Sequence, residues 1–231
     1  MHIVLSNMKK LIFLLVLTTM TGALSARDLK ILEPKNAPVS YHHAATEFQK
    51  FYKAVTDVDL EITSDEDTLS SLVVIGSDFV NSFTRKAVEN KLLSPLDLGA
   101  TSDAYRIVSK DDGDKRYLFL AGGNGRSTLY AVYDFFERQA GCHYFWDGDV
   151  IPKAETIAMD NRDVFEQPRF EYRGLRYFAH RSLSRFQAEH WGPKEWEQEI
   201  DWILKKRLNL FMLRIGMDDV FQKAFPDIVP Y

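Results

Sequence analysis

A run of polar side chains between residues 176 and 191 holds the residue types best suited to gripping a hydroxyl-rich ligand. Arg176, His180, Arg181, Ser182, Ser184 and Arg185 fall at or just past the end of an aromatic strand read over residues 170–178. His180 and Ser182 can donate to and accept from hydroxyl groups, and Trp191 offers a ring that can stack on a sugar face. The connection, residues 179–192, has fourteen residues, whereas strand-to-helix loops usually run roughly two to six. Two readings stay open. One is a ligand-contacting loop; the other is a solvated loop with Trp191 plugging a barrel rim.

Other constellations carry less. The turn Gly122-Gly123-Asn124-Gly125-Arg126-Ser127-Thr128 lacks the Gly-Lys pair and glycine spacing of a phosphate loop, and Thr128 stands where a dinucleotide fingerprint needs its last glycine. A strand-to-helix turn capped by Ser127 accounts for it. His42 and His43 diverge by about 100° on a helix, and His180 and His190 have no Asp or Cys at ligand spacing. Cys142 beside His143 reads as a buried structural thiol, because neighbours on a strand face opposite ways. No metal and no cofactor is expected.

The elements that must position these residues follow from periodicity. Residues 29–32, 60–62 and 69–75 read as strands, the last ending at Gly76. Residues 104–108 and 117–121 read as a hairpin around Asp111-Asp112-Gly113-Asp114. Ala44, Phe48, Phe51 and Val55 share one side of a helix over 39–55, and residues 79–92 also look helical. Leu129, Val132, Tyr133 and Phe136 fall at i, i+3, i+4 and i+7 of a helix opened by Ser127 and stopped at Gly141. After the strand at 170–178, Pro193 opens a further helix. Its stripe of Trp196, Ile200, Ile203 and Leu204 reads as core, and a second apolar strand follows over 208–215. Glu195, Glu197 and Glu199 are read as surface charges of that helix. Strand, helix and strand in this order need parallel neighbours.

The fold class expected is therefore α/β: a small N-terminal α/β sandwich domain over 27–160, then the first βαβ unit of a TIM barrel over 161–231. A complete barrel takes roughly 250 residues, and 62 residues follow Arg169, so the barrel is expected to be truncated. Lys9-Lys10, an apolar run over 11–17 and small residues over 18–26 read as a signal peptide. Export to the periplasm or the extracellular space is expected, with no membrane span after cleavage. The aromatic content of 13% suits packed cores, and a net charge of −4 with interspersed signs argues against nucleic acid as a partner.

Two segments resemble a known family. Ala140-Gly141-Cys142-His143-Tyr144-Phe145-Trp146-Asp147-Gly148 resembles the Gly-Cys-His…Trp-x-Gly segment closing the N-terminal domain of alpha-N-acetylglucosaminidases, glycoside hydrolase family 89. Trp196-Glu197-Gln198-Glu199-Ile200-Asp201-Trp202 is similar to that family's Trp-Glu-x-Glu-Ile-Asp-Trp motif on the first barrel helix, and Asn209-Leu210 matches the following Asn-Leu. The helix from Gly125 to Tyr133 also resembles the last helix of the small domain preceding the barrel in beta-hexosaminidases and alpha-glucuronidases.

The resemblance implies a retaining exo-glycosidase acting on polysaccharide or glycan ends, with two catalytic carboxylates supplied by later strands. No catalytic residue is therefore assigned within this chain. Substrate contacts are expected from Arg176, His180, Ser182 and Trp191. Where the family has Asn and Cys past the first strand, this sequence has His180 and Ser182; a related hexose or a uronic acid fits these donors equally. The partners expected are a carbohydrate substrate and the remaining barrel portion. The competing reading is a non-catalytic carbohydrate-binding or interaction module formed by residues 28–160.

Overall fold

The computed structural model describes residues 29–66, 69–175, 191–211 and 223–224. Its body is a six-stranded mixed sheet in the order β2-β1-β3-β5-β4-β8, so the α/β class stands. The strands β1 (Leu29–Leu32), β2 (Glu61–Thr63), β3 (Ser71–Ile75) and β5 (Lys115–Gly122) run parallel. β4 (Tyr105–Asp112) pairs antiparallel with β5 through the turn at Gly113-Asp114, and β8 (Asp163–Glu166) extends that antiparallel edge.

Alternation along the strands divides two cores. Ile31, Val73, Ile75, Leu118 and Leu120 face helices α1 (Val39–Thr56) and α3 (Gly125–Ala140). Leu32, Leu72, Val74, Phe119 and Ala121 face α2 (Ser82–Glu89) on the other side. All of β3 is buried, as expected for a central strand covered on both faces. The expected stripe of α1 is buried as read, with Ala44, Phe48, Phe51 and Val55 at most 1% exposed. Phe48, Phe51, Tyr133, Phe135, Phe136 and Tyr144 form an aromatic cluster with ring centroids 5.0–6.0 Å apart, the tilted and edge-on geometries that ring quadrupoles favour.

Two boundaries differ from the sequence reading. α2 is shorter than residues 79–92 because the Asn81 side chain accepts from the Phe83 and Thr84 amides and fixes the start at Ser82. Lys91, at φ 61°, then turns the chain out of the helix. The cap of α3 is Asn124, not Ser127: Asn124 Oδ1 accepts from the Ser127 amide at 2.9 Å, and Ser127 Oγ accepts from the Asn124 amide at 3.0 Å. This reciprocal pair occupies two of the amides a helix start leaves bare. Gly141 in the left-handed region ends α3. The hairpin β6 (His143–Phe145) and β7 (Gly148–Val150) follows.

Beyond the sheet, β9 (Gly174–Leu175), α4 (Pro193–Lys205) and β10 (Leu210–Phe211) make a strand–helix–strand unit. β9 and β10 pair in parallel, Gly174 opposite Leu210 and Leu175 opposite Phe211. Residues 170–173 are not strand, because side chains of Arg173 and Asn209 take the Phe170 and Glu171 carbonyls. The expected signal segment lies outside the described residues. Among the described residues, no helix is long and apolar enough to cross a membrane.

Candidate functional site

The described residues with the densest polar chemistry lie in the seam between the sheet and the strand–helix–strand unit. Its first anchor is Asp103, just ahead of β4, with a side chain 8% exposed. Oδ1 accepts from Arg126 Nη2 at 2.7 Å, Arg126 Nε at 3.1 Å and Asn124 Nδ2 at 3.1 Å. Oδ2 accepts from Arg173 Nη2 at 2.7 Å and Asn209 Nδ2 at 2.8 Å. Burial pushes this carboxyl up, but the donors Arg173, Arg126, Asn124 and Asn209 together outweigh it and hold it down at about 2.

Arg173 and Asn209 stand immediately before β9 and β10, so Asp103 ties the N-terminal ends of both strands to the start of α3. Asn209 Oδ1 accepts from the Arg173 amide, and the Asn209 and Leu210 amides both donate to the Arg173 carbonyl. Arg173 Nε donates to the Arg207 carbonyl at 2.8 Å, and its guanidinium lies over the Tyr130 ring at 5.9 Å.

The second anchor is Arg207. α4 ends with the Arg207 amide donating to Leu204 O and the Leu208 amide to Ile203 O, a Schellman arrangement. Arg207 occupies the left-handed position at φ 58°, where glycine is the usual residue. Its side chain explains the exception: Nη2 donates to Asp134 Oδ1 at 2.5 Å and also to Glu137 Oε2. Arg138 Nε holds the other Asp134 oxygen at 2.8 Å. Tyr130 OH donates to the Leu208 carbonyl at 2.8 Å. One face of α3 thus receives the C-terminal end of α4.

The third contact corrects the sequence reading. Glu199 is buried rather than a surface charge, at 4% exposure, and its Oε2 accepts from Trp146 Nε1 at 2.8 Å. Lys205, also buried, reaches Asp149 at 2.6 Å across the Phe51 and Tyr144 rings. The amphipathic pattern of α4 predicts one apolar face, whereas α4 seats charged groups on the β6–β7 hairpin and leaves Ile200 50% exposed. Glu195 Oε2 accepts from the Gly192 amide at 2.9 Å, bracing the helix start. Asp201 is pushed up by burial and by the negative Glu47 nearby. Glu47 Oε2 in turn accepts from Tyr133 OH at 3.0 Å.

Of the sequence-derived candidates, Arg176, His180 and Ser182 lie outside the described residues, as do Arg181, Ser184 and Arg185. Trp191 is described and half-buried. It packs edge-on against Trp196, with centroids 4.8 Å apart, and Trp196 packs edge-on against Phe211 at 5.8 Å. This aromatic column sits at the start of α4 beside Phe211 of β10, whereas Asp103 binds Asn209, just ahead of that strand. The glycines of the 122–128 turn have steric reasons: a Cβ on Gly122 would meet Thr128 N at 2.3 Å, and one on Gly123 would meet Gly99 O at 2.2 Å. Cys142 is free and fully buried, its thiol pushed up to about 11 by burial and then by Asp149 and Glu137. Among the described residues, no group of three or more His, Cys, Asp or Glu could hold a metal ion.

Sequence reasoning missed Asp103, Arg173 and Arg207. A lone acid before a strand carries no local signal, since its partners lie 21 to 106 positions away. Only Asn209 was marked, through the motif it shares with the resembled family.

The α/β fold is similar to that of part of a known glycoside hydrolase. Among solved structures, a family 115 4-O-methyl-alpha-glucuronidase with specificity for decorated arabinogalactans superposes with a TM-score of 0.57 at 15% identity, over 78% of this chain and 24% of that one. A family 138 enzyme targeting pectin rhamnogalacturonan II gives a TM-score of 0.43 at 14% identity, over 78% of this chain and 23% of that one. In sequence, the chain is 21% identical over 106 residues to the human alpha-N-acetylglucosaminidase, covering 46% of this chain and 14% of that protein. No family model matches. The chain thus spans less than a quarter of the length of each of these proteins.

Proposed function

We propose that this chain forms the small α/β domain and the first strand–helix–strand unit of an exported exo-glycosidase acting on polysaccharide or glycan ends, alpha-N-acetylglucosaminidase-like in its architecture. In this reading a signal peptide over 1–26 is removed outside the cytoplasm. The division between small domain and barrel falls near residue 160, and the barrel's remaining strands belong to the same enzyme. The observation that supports it is the parallel pairing of β9 with β10 around α4, clamped to the sheet through Asp103 and Asp134.

The small domain is the brace of the barrel's first unit. The sugar contacts assigned to Arg176, His180, Ser182 and Trp191 come after Gly174–Leu175 in sequence, and barrels build their sites at the C-terminal ends of their strands. The acid and the nucleophile come from later strands; Glu195 is occupied as a helix brace and Glu199 as the acceptor for Trp146. On this reading the chain alone is expected to be inactive. Incubation of the purified chain with a panel of aryl glycosides is expected to release no phenol above the uncatalysed rate, and robust turnover would refute the reading. A carbohydrate-binding module confined to residues 28–160 is supported less well, because Asp103 and Asp134 draw donors from Arg173, Asn209 and Arg207.

A further inference from the structure

We infer that the seam holds a second, non-catalytic glycan site: a cleft of about 250 Å³ beside Asp103 that takes one neutral hexopyranosyl residue. Phe170 and Tyr172 line it, 72% and 70% exposed. Both rings are left open to water on the wall of one cleft and offer apolar faces that a pyranose ring can cover. Here the backbone that carries them is held in place. Arg173 Nη1 donates to the Phe170 and Glu171 carbonyls, and Asn209 Nδ2 donates to the Glu171 carbonyl at 2.6 Å. The rings are therefore presented by a fixed support, and binding them costs little ordering.

The rest of the lining matches a sugar's rim. Gln167, Glu171 and the half-exposed Arg126 guanidinium are planar polar groups, each able to meet hydroxyls two at a time. Formal charges cancel, Asp103 and Glu171 against Arg126 and Arg173, and both arginines already face a carboxylate. A phosphate or polyanion finds no surplus positive charge there, and a neutral pyranose needs none. The volume lies just under the roughly 300–1,000 Å³ of pockets for drug-sized ligands, the scale of one ring. The cleft lies by the N-terminal ends of β9 and β10, away from the C-terminal ends where a barrel does chemistry. It anchors glycan and performs no step on it. This site is independent of the hydrolase reading, since a chain without turnover can still bind.

The test is saturation-transfer difference NMR on the full chain with the methyl glycosides of glucose, galactose and N-acetylglucosamine at millimolar concentration. We expect saturation transfer to at least one of them, together with a shift of the Arg126 Nε–H resonance. Tyr172→Ala and Phe170→Ala are each expected to weaken binding by about tenfold or more. Phe145→Ala, which removes an exposed ring of the β6–β7 hairpin away from the cleft, should leave it unchanged. Circular dichroism verifies the fold of each variant. The proposal is overturned if no glycoside binds, if binding survives both ring substitutions, or if Phe145→Ala abolishes it equally.

Discussion

Replacing Asp103 by alanine removes the carboxylate on which four side chains from the α3 cap, the pre-β9 turn and the pre-β10 turn converge. Its depression from 3.8 to about 2 corresponds to at most about 2.5 kcal/mol of folded-state preference for the anion. Solvent entering the cleft screens this to about 1.5 kcal/mol. Truncation adds the cost of leaving the Arg173 guanidinium, 15% exposed, without its counter-charge. The total expected is about 2–3 kcal/mol. Asn124, Arg126 and Asn209 keep other partners or solvent, so the loss stops short of a fully buried ion pair. The contribution has a defined pH window. Because the folded-state value lies below the ordinary one, the stabilisation is complete above about pH 4 and is lost as pH falls through about 2. Urea denaturation followed by far-ultraviolet circular dichroism at pH 7 and at pH 2.5 measures both quantities. A loss below about 0.5 kcal/mol at pH 7, or an equal loss at both pH values, would refute the electrostatic account of the seam.

Four further outcomes follow from the same geometry. Arg207→Gly relieves the left-handed strain, worth about 1 kcal/mol, but takes the Arg207 guanidinium from Glu137 and leaves Asp134 with Arg138; urea titration should show a net loss of about 1–2 kcal/mol, and a net gain would contradict the bridge. Asp201→Asn should raise stability at neutral pH by less than about 1 kcal/mol. Its folded carboxyl is pushed up, so the anion is disfavoured there, and the gain should fade once mild acid protonates the wild type. Asn124→Ala removes the α3 cap and should lower stability by about 1–2 kcal/mol, read as a fall in melting temperature. Cys142 should resist dithionitrobenzoate at pH 8 in the folded chain and react fully in urea; rapid folded-state labelling would place it outside the core.

Much of the sheet domain was legible because its signals are local. The stripe of α1, the β4–β5 hairpin turn and the Gly141 stop each sit within a few residues of the element they define. The start of α2 was not, since Asn81 acts as a cap only where its side chain meets two free amides. The strand expected from 170 starts later, at Gly174: aromatic content favours a ladder, while the distant Asn209 draws the Glu171 carbonyl away from one. Glu199 was misplaced for a related reason. Helical periodicity reports which residues share a face, not whether a polar face will find a Trp146 to bury it. The seam anchors Asp103 and Arg207 were illegible because their roles exist only once residues far apart in sequence converge.

The most direct test of the central claim is the register of the strands beyond the sheet. Cross-strand nuclear Overhauser contacts in the labelled full chain should place Gly174 beside Leu210 and Leu175 beside Phe211, both strands running the same way, with the Asn209 side-chain amide protected against exchange by Asp103. Antiparallel contacts between these strands, or an Asn209 amide that exchanges as freely as solvent-exposed asparagine, would contradict a strand–helix–strand unit clamped to the sheet.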